Sequence, residues 1–262
     1  MNHLRGIYII WYRDLLRFWR DKMRMIGSMT MPLLFLIVFG AGMGSMMGAF
    51  GSGVGFGQFI FPGIIGMTVL MSSFMAGVSV VWDREFGFLK EVLVAPVSRA
   101  SVAVGKTLGA ATIALLQGTL ILVLAPLVGV SLTLVKVLTI WPLMLLLAAS
   151  MGSLGVVLAT RIKSMEAFQM MMQLLMFPMV FLSGVFFPPK GLPAWMDVLV
   201  KINPATYGIA PIRQVMLGST ADSQFVMNLF GHTMTIWDNV IVMALFGAAM
   251  ILLAMWSFSN QE

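Results

Sequence analysis

Seven charged residues, Asp83, Arg84, Glu85, Lys90, Glu91, Arg99 and Lys106, fall within 24 positions. On either side charge disappears: Met25 to Trp82 carries none, and neither does Thr107 to Val135. Such a cluster could move protons, hold a cation, cradle a phosphate or dock onto another protein. Gly105-Lys106-Thr107 matches the tail of a phosphate-binding loop. That pattern also needs glycine at position 100, where Ala100 stands, and a soluble strand before it. The match is chance, and Lys106 reads instead as a side chain snorkelling to an interface. His3 and His232 are too few for a metal cluster, and the absence of cysteine excludes disulfides and thiolate sites. No Ser-His-Asp or paired-carboxylate constellation is present. Ion-coupled carriers place acids deep in a span, and cation channels ring a pore with them. Here the nearest acid to a span interior is Glu166, at the start of the fifth apolar segment. The chain thus carries no energy source of its own and reads as no enzyme. Energy should reach it from a partner on the cytoplasmic side.

Residues 83–96 are where such a partner would act. Wound as a helix with Glu85 at 0°, the apolar Phe86, Phe88, Leu89, Val92 and Leu93 cover an arc from roughly 300° to 100°. Asp83, Arg84, Lys90 and Glu91 take the other side, and Pro96 ends the segment. Glu85 lies inside the apolar arc and needs a partner, because unpaired burial of a carboxylate is costly. A helix N-terminus or an arginine of another protein would serve. The alternative is a helix resting on lipid headgroups with Glu85 reaching water.

The elements around this segment follow from composition. The 262 residues are 60% hydrophobic and 10% charged, against about 25% charged in a soluble domain. The expected fold is an all-α integral membrane protein with six transmembrane helices, near 25–43, 58–82, 105–129, 136–159, 166–186 and 236–258. Twelve of the 16 Lys and Arg fall on one side of these spans, which should be cytoplasmic, with both termini there, in a plasma or inner membrane. The net charge of +6 then reflects membrane-surface anchoring and not nucleic acid. The 24-residue basic lead is long for a signal peptide.

Residues 1–24 should form an amphipathic interface helix. Arg13, Arg17, Arg20 and Arg24 fall within about 60° of one another, opposite Leu4, Ile7, Trp11, Leu15 and Phe18. The arginines are expected to point toward lipid phosphates. Residues 25–262 then form the membrane domain. Residues 188–218 hold two apolar stretches too short to span, Leu192–Ile202 and Thr206–Leu217, punctuated by Pro188, Pro189, Pro193, Asn203-Pro204 and Pro211. They predict an extracellular re-entrant helical hairpin, or else an ordinary surface loop.

Four stretches in order resemble the membrane subunits of type-2 ATP-binding-cassette exporters, the permeases for drugs, lipids and polysaccharides. FIFPGIIGMTVL (59–70) looks like the opening of the family's second span. DREFGFLKEVLVAPVSR (83–99) with Gly105-Lys106 looks like its coupling helix. LSGVFFPPKGLPAWM (182–196) and INPATYGIAPIR (202–213) look like its extracellular hairpin. The resemblance implies a dimer of two such chains, or a heterodimer with a related permease, each docked to a cytoplasmic ATPase. ATP and magnesium would sit in that partner, and this chain would bind no cofactor. Asp83, Arg84, Glu85, Phe86, Phe88, Leu89, Leu93 and Pro96 become the ATPase contact. Gln169, Gln173, Met172, Met176 and Phe59 become candidates for the pathway or dimer face, with ordinary helix packing as the alternative for the two amides. Pro189, Trp195, Asn203, Pro204, Tyr207 and Arg213 mark the hairpin. A hydrophobic drug or lipid is the expected cargo, with a lipid-linked glycan second. A non-transport assembly or immunity protein and a passive channel are the competing classes.

Overall fold

The computed structural model describes residues 3–42, 55–87, 98–162, 164–187, 191–218, 227–229 and 232–259. Helices α1 (His3–Arg20) and α2 (Lys22–Gly42) are bent by 72° relative to one another. Helices α3 (Phe56–Ser73) and α4 (Met75–Glu85) form one 30-residue apolar unit interrupted at Phe74. Then come α5 (Arg99–Leu122), a 3-10 turn (Ala125–Val128), α6 (Leu134–Arg161) and α7 (Met165–Phe181). Two shorter helices, α8 (Ala194–Ile202) and α9 (Pro204–Leu217), precede a minimal antiparallel hairpin, Asn228–Leu229 with His232–Thr233, and α10 (Ile236–Ser259).

Four units are long and apolar enough to cross a membrane: Phe56–Glu85, Ala100–Leu122, Leu134–Arg161 and Ile236–Phe258. The bent α1–α2 pair would supply a fifth. Helix α7 has 17 residues, about 25 Å at 1.5 Å per residue, less than the ~30 Å hydrocarbon core. Of the six expected spans, four therefore stand at full length, one lies in the bent pair and one is short. The third span also ends sooner than expected, at Leu122 and not 129. The 3-10 turn carries Pro126 at its start and Gly129 at φ 75° just past its end.

Helix α3 is buried around its whole circumference from Phe59 to Leu70, as expected of a helix apolar on every side. It packs on α2, α5, α6 and α9. Helix α4 lies against α6 with little between the backbones. A methyl group at Gly77 would sit 2.4 Å from the Gly155 carbonyl oxygen, a small-residue contact of the kind that joins helices in lipid. The Ser72 hydroxyl bonds the Gln117 amide oxygen, and Gln117 Nε2 donates to Ser28 Oγ at 2.6 Å, tying α3, α5 and α2 together.

The second short helix is started by its sequence. Asn203 Oδ1 accepts from the Ala205 amide at 3.0 Å, and Pro204 occupies the first turn, where its missing N–H costs nothing. Asn203 Nδ2 also donates to the Met179 carbonyl near the end of α7, at 2.8 Å. Tyr207 Oη donates to the Lys201 carbonyl at 2.6 Å, closing α8 onto α9. Asn203→Ala removes a cap and a tether together. It should lower stability by about 1–2 kcal/mol, read as a fall in the thermal midpoint of the detergent-solubilised protein. An unchanged midpoint would remove this role.

The expected coupling helix at 83–96 is redrawn at its start. Helix α4 runs on through Glu85, the chain turns at Phe86, and Gly87 takes φ 77°, in the left-handed region that favours glycine. Asp83, Arg84 and Glu85 are thus the last turn of the second span. Phe88, Leu89, Lys90, Leu93 and Pro96 lie outside the described residues, as does Pro189.

Candidate functional site

The charges at the end of α4 converge on a buried cluster. Asp83 Oδ2 takes Arg13 Nη2 at 2.8 Å and Lys106 Nζ at 2.5 Å. Lys106 also meets Asp14 Oδ2 at 3.3 Å and donates to the Ser79 hydroxyl. Arg13 bonds Asp14 at 3.1 Å, and Arg17 stands 3.9 Å from Asp83 with its guanidinium 4.6 Å from the Trp82 ring centre. The Lys106 and Asp83 side chains are only 2% and 8% exposed. A cavity of about 30 Å³, room for about one water, adjoins Asp14, Ser79 and Lys106.

Three sequence expectations change here. Lys106 does not snorkel to an interface: it is buried between two carboxylates. Arg13 reaches into the protein, where Asp83 draws it, and Arg17, with its side chain still 43% exposed, stands beside the same carboxylate. Asp83 faces inward, its oxygens held by neighbours on α1 and α5. Asp14 and Ser79 escaped the sequence reading. Asp14 is an acid among the arginines of α1, and Lys106 lies between two close-approach glycines. A methyl at Gly105 would sit 2.9 Å from Ile10, and one at Gly109 would sit 3.2 Å from Asp14. Such a small-residue face predicts a tightly packed helix neighbour.

Arg84 is likewise committed within the chain. Its Nη1 donates to the carbonyls of Ala159 and Ile162 at 3.1 and 3.0 Å. Carbonyls at a helix C-terminus lack partners within the helix, and a cation there also complements the helix dipole. Glu85 Oε1 accepts from the Met165 amide at 3.4 Å, so its carboxylate sits at the start of α7. A helix N-terminus was one of the two partners the sequence left open for it. The side chain remains exposed. Phe86 is 74% exposed, and its ring is tilted by 48° against that of Trp82, with ring centres 5.9 Å apart.

The remaining candidates divide. Gln169 and Gln173 are exposed on α7 beside Met170, Leu174 and Phe177, and Met172 is half-buried. Phe59 and Met176 are buried in the core and line no open face of the single chain. Phe59 lies instead under the guanidinium of Arg213, 4.6 Å from its ring centre. Arg213 Nη2 donates to the Gly184 carbonyl at 2.5 Å, and burial lowers the guanidinium to about 10, still a cation at neutral pH. Trp195 is exposed, whereas Asn203 and Tyr207 are buried at the α8–α9 joint and Pro204 is half-buried there.

Residues 5–217 match the model of the family described as ABC-2 type transporter. Nodulation protein J of Rhizobium meliloti (strain 1021) is 30% identical over 213 residues, 80% of each chain. Nodulation protein J of Rhizobium leguminosarum bv. viciae is 26% identical over 245 residues, 92% of each. The inner membrane transport permease YadH of Escherichia coli (strain K12) is 29% identical over 231 residues, 83% of this chain and 86% of that one. The family match covers the α4 terminus, the buried cluster and both short helices, and on that basis this chain belongs to the ABC-2 type transporter family, as a membrane permease.

Proposed function

We propose that the chain is the permease subunit of an ATP-driven exporter, working as a dimer with a separate cytoplasmic ATPase. The observation that carries this reading is the α4 terminus. Its last turn is bonded to α1, α5, α7 and the end of α6, while the next residue, Phe86, stands exposed. An input at Phe86 and the segment beyond it would therefore meet a firmly anchored helix. The basic end of the bundle, with Arg13, Lys106 and Arg161, is taken as cytoplasmic because 12 of 16 Lys and Arg belong to it. The membrane is then the inner or plasma membrane, with both chain ends on the inside.

The cargo this reading favours is a hydrophobic drug or lipid-like molecule, supported by the exposed apolar side chains Met170, Leu174 and Phe177 on α7. A second reading, a lipid-linked glycan, draws support from a phenylalanine cluster. Phe35, Phe39, Phe177, Phe181 and Phe186 form a chain of ring contacts with centroids 4.4 to 5.9 Å apart. Stacked aromatic surfaces suit sugar faces as well as apolar chains.

The chain should co-purify with a soluble protein that carries a phosphate loop. Glu85→Lys should abolish transport by the reconstituted complex while membrane insertion stays normal. It removes the acceptor at the start of α7 and puts a cation at the positive end of that helix. Full transport by this variant would overturn the role of Glu85. Ion currents through the chain alone would favour a channel. Stimulation of the ATPase by a glycan carrier, and not by small amphiphiles, would select the second cargo.

A further inference from the structure

Three of the eight residues that the sequence assigned to a partner's contact surface, Asp83, Arg84 and Glu85, are bonded within the permease itself. Asp83, Arg84 and Glu85 are consecutive, so their side chains leave α4 about 100° apart and together sweep some 200° of its circumference. Each reaches a different part of the bundle. Asp83 binds Arg13 on α1 and Lys106 on α5. Arg84 binds the carbonyls that end α6, at Ala159 and Ile162. Glu85 binds the amide that begins α7, at Met165. Two residues later stands Gly87, at φ 77° and with no atom of the described residues within 4 Å of a hypothetical side chain.

We infer that Asp83, Arg84 and Glu85 are a distributing joint: three positioning residues that deliver a displacement arriving through Gly87 to α1 with α5, to α6 and to α7 separately. This rests on the reading of the chain as a permease driven by a partner ATPase, and it names the residues through which that drive spreads. The chemistry suits the task. Charge-assisted hydrogen bonds are strong and directional; those of Asp83 are short, at 2.5 and 2.8 Å, and those of Arg84 and Glu85, at 3.0 to 3.4 Å, grip backbone at helix ends and not mobile side-chain tips. The Asp83 arm is shielded from solvent and screened little by salt. The Glu85 arm ends on α7, whose exposed side carries Gln169, Gln173 and Phe177, so this arm would move the helix proposed to face the cargo.

The test uses the assembled complex of this chain and its co-purifying ATPase, reconstituted in vesicles, with cargo moved per ATP hydrolysed as the readout. Arg84→Gln and Glu85→Ala should each lower that ratio by roughly 2- to 30-fold, with complex yield and ATP hydrolysis retained. Glu85→Gln keeps an oxygen acceptor for the Met165 amide and should recover most of the loss seen in Glu85→Ala. A merely structural role would lower yield and both rates together and leave the ratio unchanged; that result overturns the joint. If no ATPase co-purifies with the wild-type chain, the permease reading itself fails, which is a separate outcome.

Discussion

Asp83→Ala is expected to destabilise the chain by about 3–5 kcal/mol, the range for removing one partner of a buried ion pair. The asymmetry of the cluster makes the prediction sharp. Without Asp83, three cations, Arg13, Arg17 and Lys106, gather around Asp14 alone. Without Lys106, two carboxylates still face two arginines, so the charges stay balanced. Lys106→Met should therefore cost clearly less than Asp83→Ala, although Lys106 is the more deeply buried of the two. Thermal unfolding of the purified variants in detergent measures both. Equal losses, or a greater loss for Lys106→Met, would mean that packing around the lysine stem outweighs the balance of charge.

Gly77→Ala should be nearly as damaging, for a steric reason. The new methyl would lie 2.4 Å from the Gly155 carbonyl oxygen and 2.5 Å from the tip of the Phe168 ring. A ring can shift, but the backbone of α6 cannot without parting the two helices. The cost should reach the upper end of the overpacking range, about 3 kcal/mol. The separation would also strain the Arg84 bonds, which reach the end of the same helix. Two controls calibrate it. At Gly152 the nearest atom would be the Ser73 carbonyl oxygen at 3.3 Å, and alanine there should cost under about 1 kcal/mol. At Gly27 nothing among the described residues lies within 4 Å, and alanine should be neutral or stabilise α2 by up to about 1 kcal/mol. Folded yield by size-exclusion chromatography and thermal midpoints should rank the three substitutions in that order. Normal folding of Gly77→Ala would show that α4 and α6 can separate without loss.

The amino-acid sequence determined most of what depends on one helix at a time. Charge-free runs of about 20 residues dictate helices, because lipid offers backbone groups no other partner. Asn203-Pro204 announces a helix start by its own chemistry, and the spacing of Arg13, Arg17 and Arg20 sets one polar face on α1. The sequence also brought out Glu85 as a carboxylate out of place on an apolar arc, needing a partner. What it could not decide is what each polar face meets. Periodicity places Arg13 and Asp83 on their own helices but is silent on a partner 70 positions away, and that partner drew Arg13 into the protein. Lys106 looked like a snorkelling side chain because its neighbours in sequence are apolar, while its neighbours in space are two carboxylates. The division between Asp83 facing inward and Phe86 facing out depends on where α4 stops, at the positive φ of Gly87. That stop and the partners around it arise from the packing of α1, α5, α6 and α7 against α4, and tertiary contacts fix them where local propensity does not.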